Sequence, residues 1–277
     1  MRTLSLGYSP CPNDTFIFFA LTHGRIPLPG LAFHHRLEDV ETLNRLACAA
    51  TLDLTKISFH ALGHLRKDYA LLRSGGALGR GCGPLLVARR GLSLAELTGR
   101  RIAIPGSLTT AALLLQLYSD DFSNLVVMPF DRILPAVRDG LADAGLIIHE
   151  GRFTFSDYGL DRLLDLGQWW EEQTGLPLPL GGILARRSLG PDLIETLEGA
   201  VRESVAYARS HLDETGAYIR RHAKELDEEV IRGHIDLYVN DFSLDLGDEG
   251  LTAVQELLGR AEDRGLIPRY SGPLLAR

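Results

Sequence analysis

Short apolar runs alternate with longer stretches of helical period along most of the chain. Leu4 to Tyr8, Leu54 to Ser58, Leu85 to Ala88, Arg101 to Ile104, Val126 to Pro129, Gly145 to Ile148 and Gly182 to Ala185 read as strands. Several are apolar at almost every position, the pattern of strands covered on both faces. Thr15 to His23, Val40 to Ala50, Ser107 to Tyr118, Ile133 to Asp139, Pro191 to His211, Glu228 to Tyr238 and Glu249 to Arg264 read as helices. After Pro191 the pattern is nearly all helical. Strand and helix alternating in this way predict an α/β protein.

Two internal echoes refine that prediction. Gly83-Pro84-Leu85-Leu86-Val87-Ala88-Arg89-Arg90 resembles Leu180-Gly181-Gly182-Ile183-Leu184-Ala185-Arg186-Arg187. Both are apolar strands closed by Ala-Arg-Arg, and the chain between them is long enough for a complete lobe. The expectation is a discontinuous lobe 1, residues 1–88 and 186–277, and a lobe 2 spanning residues 89–185. The second echo pairs Leu43-Asn44-Arg45-Leu46, leading to Asp53 through Ser58, with Ile133-Leu134-Pro135-Ala136, leading to Asp143 through Glu150. Each reads as helix, tight turn and buried strand with polar groups at its far end. Related lobes would set Lys56 to Ser58 against His149-Glu150 across a cleft. A length of 277 residues suits two lobes better than one core.

The loop after the first strand is stiff. In Ser9-Pro10-Cys11-Pro12-Asn13-Asp14-Thr15-Phe16 two prolines interrupt both strand and helix, and Asn13, Asp14 and Thr15 are helix-capping types ahead of an apolar stretch. Ligands bind at such places, beyond the carboxyl end of a strand in an α/β sheet. A net charge of −7 argues against nucleic acid, whose phosphates call for a basic face. No apolar stretch approaches the roughly 20 residues of a membrane helix, and no basic segment leads into an unbroken apolar core at the start. Three cysteines without C-x-x-C spacing indicate neither a disulfide framework nor a zinc ribbon. The cytoplasm is the simplest reading, with no membrane partner.

His149 is the leading candidate for chemistry. An imidazole at a strand end between partly apolar walls is held neutral near pH 7 and can take a proton; the alternative is a structural histidine bonded to a strand-end carbonyl. Ser107-Leu108-Thr109-Thr110 places hydroxyls and N–H groups at a helix start, suited to a carboxylate or to plain capping. The glycine-dense Ser74 to Pro84 lacks the G-K-[ST] ending of a phosphate loop, so its glycines are expected to admit a ligand or to bend at the lobe crossing. Arg80 there suits either a carboxylate partner or solvent. His60 and His64 lack a third ligand at recognised spacing, Cys11 has no neighbouring base, and no metal is expected. Trp169 to Pro177 reads as a surface helix end, with one tryptophan available to line a cleft.

Five separated motifs resemble the 1,4-dihydroxy-6-naphthoate synthase family: Ser9 to Phe16, Leu37 to Asn44, Arg73 to Gly81, Gly145 to Glu150 and Gly175 to Gly181. The resemblance implies a two-lobed fold like the type II periplasmic binding proteins, with the ligand cleft between the lobes. It implies a lyase that needs no cofactor, opens cyclic dehypoxanthinyl futalosine, aromatises the new ring and releases a three-carbon fragment. A histidine at the position of His149 is the implied proton acceptor. Substrate contacts are implied at Lys56, Ile57 and Ser58 and at Thr109 and Thr110; set beside them, the Ser9 to Phe16 loop is expected to form one wall of the cleft, with Asn13 and Asp14 orienting substrate. The segment Lys56-Ile57-Ser58-Phe59-His60 departs from the family's expected Leu and Tyr at its two hydrophobic positions and keeps the lysine and serine. The expected partner is a small carboxylated molecule; a homodimer is compatible with the sequence and not required by it. Chorismate dehydratase, a sister enzyme of the same pathway and fold, and a non-catalytic solute-binding protein are the competing readings.

Overall fold

The computed structural model describes residues 1–223 and 227–277. Lobe 1 opens with β1 (Arg2–Tyr8), α1 (Pro12–Thr22), β2 (Leu31–Leu37), α2 (Val40–Cys48), β3 (Leu54–Ser58), α3 (Phe59–Leu65), β4 (Tyr69–Leu71) and β5 (Ala77–Gly79). Lobe 2 holds β6 (Leu85–Arg89), β7 (Ile102–Ile104), α4 (Thr110–Tyr118), β8 (Leu125–Val127) and α5 (Phe130–Arg138). It continues through β9 (Ala144–Ile147), the short α6 (Gly151–Thr154), β10 (Leu160–Asp165) and α7 (Leu166–Thr174). The chain returns through β11 (Leu178–Arg186) and ends in α8 (Pro191–Ser210), α9 (Leu212–His222), α10 (Glu228–Tyr238), the short α11 (Asp241–Leu244) and α12 (Gly247–Asp263).

The first sheet runs β2-β1-β3-β11-β4, with β5 also on β11, and the second runs β10-β6-β9-β7-β8. Read from β8, the second sheet repeats the first: two parallel pairs about a central strand, then an antiparallel strand arriving from the other lobe. This settles where the crossings lie, and they differ from the expected 88/89 and 185/186. Leu85 to Ala88 pair with Ile147 to Ala144, so all of β6 belongs to lobe 2. Leu184 and Ala185 pair with Thr55 and Leu54, so β11 belongs to lobe 1. The chain therefore crosses between β5 and β6 and again between α7 and β11.

Helix α1 starts earlier than its capping residues suggest. Cys11 is the N-cap in extended geometry and Pro12 takes the first helical position, where a missing N–H costs nothing. Asn13 and Asp14 consequently lie inside the first turn, both buried.

Apolar packing joins the lobes. One core lies in lobe 1 around Leu4, Leu6, Phe18 and Val201, and another in lobe 2 around Leu85, Ile133 and Val137. A third runs through both, bringing Ile57 and Leu62 together with Leu113, Leu114 and Leu257. Trp170 belongs to this shared core and is fully buried, its Nε1 donating to the Pro177 carbonyl at 3.1 Å, while the helix that carries it ends at Thr174 with Glu172 and Gln173 exposed. The glycine-dense loop serves the same seam: a Cβ on Gly83 would stand 2.2 Å from the Gly167 backbone, so that glycine admits α7. Arg80 from the same loop pairs with Glu249 of α12 at 3.0 Å. Among the described residues, no helix is long and apolar enough to cross a membrane.

Candidate active site between the lobes

The carboxyl ends of β1, β3 and β9 and the start of α4 converge on one cleft, which Asn13, Asp14, Lys56, Ile57, Ser58, Thr109, Thr110 and His149 all line. On the lobe 1 side a chain of polar groups forms a continuous wall. Lys56 Nζ lies 3.0 Å from Asp14 Oδ1 and donates to the Gly75 carbonyl at 3.2 Å. Asp14 also accepts from Ser9 N at 3.1 Å, Ser9 Oγ at 2.7 Å and Asn13 Nδ2 at 3.0 Å. A buried ion pair with its remaining lone pairs satisfied is rigid, so this wall is set before any ligand arrives. Ser58 ends β3, held by Asn44, whose Oδ1 accepts from Ser58 N at 2.9 Å and whose Nδ2 donates to Ser58 Oγ at 3.2 Å. Ile57 is fully buried and contributes an apolar floor.

On the lobe 2 side both threonines donate to main-chain carbonyls. Thr109 caps α4, its hydroxyl accepting from Ala112 N at 3.2 Å and donating to the Gly106 carbonyl at 2.8 Å. Thr110 donates its hydroxyl to the Leu180 carbonyl of β11 at 2.5 Å, tying the helix start to lobe 1. The loop before α4 already faces a carboxylate. Glu41 of α2 accepts from Leu108 N and Ser107 Oγ, both at 3.2 Å, and a Cβ on Gly106 would stand 2.3 Å from its Oε2. His60 adds a further tie between lobes, its Nδ1 donating to the Thr109 carbonyl at 3.3 Å. His64 lies beside it, ring centroids 5.6 Å apart.

His149 follows β9 with φ 55°, one of two non-glycine residues with positive φ among those described. The left-handed region costs such a residue about 1 kcal/mol or more, and strain of this kind concentrates at functional sites. The ring packs edge-on to Phe130 at 5.1 Å and lies nearly parallel to the ring of His234, centroids 6.0 Å apart. Desolvation pushes the His149 pKa below its ordinary value; Lys56 acts in the same direction, while the carboxylates of Glu150 and Asp14 oppose it. His149 is therefore neutral at pH 7, the state a proton acceptor needs. Glu150 is buried, and its Oε2 has no hydrogen-bond partner. Cys11, His149 and Glu150 each bring a ligating atom within 4.8 Å of the other two, a donor set able to hold a cation.

Two cleft residues escape the sequence reading. His234 and Tyr238, four apart on α10, line the cleft from the C-terminal part of lobe 1. The available signal is a polar residue inside the buried stripe Ile231, His234 and Tyr238. Their location opposite β9 is visible only in three dimensions.

Two lobes of repeated topology, with a cleft at their strand ends, define the periplasmic-binding-protein-like fold. The alkanesulfonate-binding protein of Xanthomonas axonopodis pv. citri shares that fold, with a TM-score of 0.72 over 97% of this chain and 95% of its own at 14% identity. The family described as menaquinone biosynthesis matches residues 4–263, and the chain belongs to it. It is 57% identical over 274 residues to the 1,4-dihydroxy-6-naphthoate synthase of Thermus thermophilus, covering 99% of both chains. To the protein of that name from Streptomyces coelicolor it is 48% identical, covering 99% of this chain and 98% of the other. A crystal structure from Archaeoglobus fulgidus superposes with a TM-score of 0.90 at 43% identity, covering 96% and 98% of the two chains.

Proposed function

We infer that this chain is a lyase of menaquinone biosynthesis that converts cyclic dehypoxanthinyl futalosine to 1,4-dihydroxy-6-naphthoate and dihydroxyacetone. The observation that carries the reading is 57% identity across 99% of the chain to a synthase of that name. The cleft supplies matching chemistry. His149, neutral and desolvated, takes a proton from carbon as general base, and the imidazolium so formed is stabilised by the carboxylates of Glu150 and Asp14. The Lys56–Asp14–Asn13 wall fixes the substrate against that base, and the shared core keeps water out while the ring opens and aromatises. Aromatisation provides the driving force. The small carboxylated substrate is water-soluble, and no disulfide joins the three cysteines, which supports a reducing, cytoplasmic compartment.

Purified protein incubated with cyclic dehypoxanthinyl futalosine is expected to release the naphthoate, followed by its absorbance. Conversion of chorismate to 3-enolpyruvylbenzoate instead would assign the chain to the dehydratase of the same pathway. Tight binding of the futalosine compound without turnover would make it a solute-binding protein.

A further inference from the structure

Helix α10 brings a second imidazole to the cleft, and the reaction outlined above gives it no task. His234 is fully buried and stands on the cleft wall beside His149. One of its nitrogens is committed: Nε2 lies 3.0 Å from Asn13 Oδ1. Which atom donates follows from the next link. Asn13 Nδ2 lies 3.0 Å from Asp14 Oδ1, the oxygen that also takes the Lys56 ammonium at 3.0 Å. A carboxylate oxygen shared with an ammonium only accepts, and turning the Asn13 amide over would set its carbonyl oxygen against that carboxylate. The amide orientation is therefore fixed, Asn13 Oδ1 accepts, and His234 Nε2 carries the hydrogen. The other nitrogen, Nδ1, is left as a bare lone pair. It is buried and meets no partner in the protein. With the ring fully buried and no acceptor facing Nδ1, nothing there holds a second proton. A buried acceptor without a donor costs free energy until a bound molecule supplies one.

We propose that His234 Nδ1 accepts a hydrogen bond from a hydroxyl group of the bound ring system, so that His234 selects hydroxylated ligands. The inference rests on the function proposed above, whose product carries two such hydroxyls. A site built to bond a hydroxyl rejects the analogue that lacks it, because its buried polar atom is then left unpaired.

Two variants separate this role from a structural one. His234→Gln keeps an N–H where Nε2 bonds Asn13 and removes the Nδ1 acceptor; His234→Asn sets an amide oxygen near Nδ1 and gives up the Asn13 bond. The probes are 1,4-dihydroxy-6-naphthoate, kept under argon, and 2-naphthoate, the same frame without hydroxyls. The Gln variant is expected to bind the dihydroxy compound about 10-fold more weakly than wild type, with the Asn variant recovering most of that loss. The wild-type preference for the dihydroxy compound over 2-naphthoate should shrink by the same factor in the Gln variant alone. Equal binding of the dihydroxy compound by wild type and the Gln variant overturns the proposal. So does loss in the Asn variant only, an equal loss for both probes, or wild type that binds neither. Turnover of cyclic dehypoxanthinyl futalosine by wild type is run alongside. Failure there removes the proposed reaction, while binding that does not discriminate, with turnover intact, removes only the role of His234.

Discussion

In each lobe a helix, a tight turn and a buried strand lead to the cleft, and up to the end of that strand the two are built alike. Helix α2 closes with Thr51 N–H on the Leu46 carbonyl at 3.1 Å and Ala50 N–H on the Ala47 carbonyl at 2.8 Å. Helix α5 closes with Leu141 N–H on the Ala136 carbonyl at 2.8 Å and Gly140 N–H on the Val137 carbonyl at 3.2 Å, the same paired bonds of a Schellman turn. Three residues on, Asp53 Oδ2 accepts from Ser5 N of β1 at 2.8 Å, and Asp143 Oδ2 accepts from Arg101 N just ahead of β7 at 3.0 Å. Beyond the strand they part. β3 runs directly into α3, with Ser58 held by Asn44 and Lys56 paired to Asp14. After β9 the chain turns through the left-handed His149, and the next residue keeps a carboxylate oxygen unpartnered. One lobe thus presents a wall whose polar groups satisfy one another, and the other presents a neutral base under strain. On the function proposed above, a repeated scaffold divides positioning from proton transfer.

The division predicts that damage to the two sides will look different. His149→Ala is expected to lower kcat about 10³-fold, within the roughly 10²- to 10⁴-fold range for a general base, while substrate affinity changes little. A variant that turns over normally would remove His149 from the chemistry. On the other side, Lys56→Met leaves Asp14 buried beside an apolar chain and should cost roughly 3–5 kcal/mol of stability, read as a lower denaturant midpoint. Adding Asp14→Asn should return part of that loss, because the pair goes as a unit. An unchanged midpoint in the single variant would mean that the wall is not held by this pair.

The seam between the sides should respond to pH. His60 is buried against Thr109, and desolvation lowers its pKa to about 4. The unfolded chain then binds the proton more readily than the folded one, so stability is full above the ordinary histidine pKa of about 6.5 and falls as the pH drops towards 4. At about 1.4 kcal/mol per unit, His60 alone should cost about 3 kcal/mol by pH 4.5. His234 and His149 shift in the same direction and add to it. Urea unfolding at pH 7 and pH 4.5 measures the difference, and His60→Gln should flatten the slope. A slope unaltered in that variant would place the titration elsewhere.

The buried strands and the long amphipathic helices were legible because their apolar periods are unbroken. The likeness of the two strand-ends was legible too, since both helix-turn-strand units keep an Asp three residues after the turn. Edge and short elements were not. β2 carries three exposed polar residues in a row, His34, His35 and Arg36, and β10 carries the exposed pair Asp161 and Arg162, so neither alternates cleanly. β4 and β5 have three residues each, too few to show a period. Function followed the same rule. His149 stands out at the end of an apolar strand, whereas His234 looks like any polar residue on a helix until α10 is folded against α1. Thr109 and Thr110 show a different limit: their hydroxyls at a helix start read as capping or as an anion site, and only the fold shows that both line the cleft while donating to main-chain carbonyls.

The smallest expected effect tests whether the strain at His149 belongs to function. Ala50 and His149 share nearly the same left-handed backbone, φ 51° and φ 55°. Ala50 occupies the helix-closing position that Gly140, φ 77°, fills in the other lobe. Nothing at Ala50 faces the cleft, so Ala50→Gly should raise stability by about 1 kcal/mol, by relieving the Cβ contact of a left-handed residue, and leave turnover unchanged. At position 149 the comparison is between two truncations, which differ only in the Cβ. His149→Gly should be about 1 kcal/mol more stable than His149→Ala, and both should be equally inactive. If the glycine variant gains nothing over alanine, the left-handed turn after β9 is relaxed by its surroundings, and the imidazole is not held there against a backbone cost. If it gains as expected, a glycine at 149 would stabilise the turn, and only a need for the imidazole itself accounts for a histidine there.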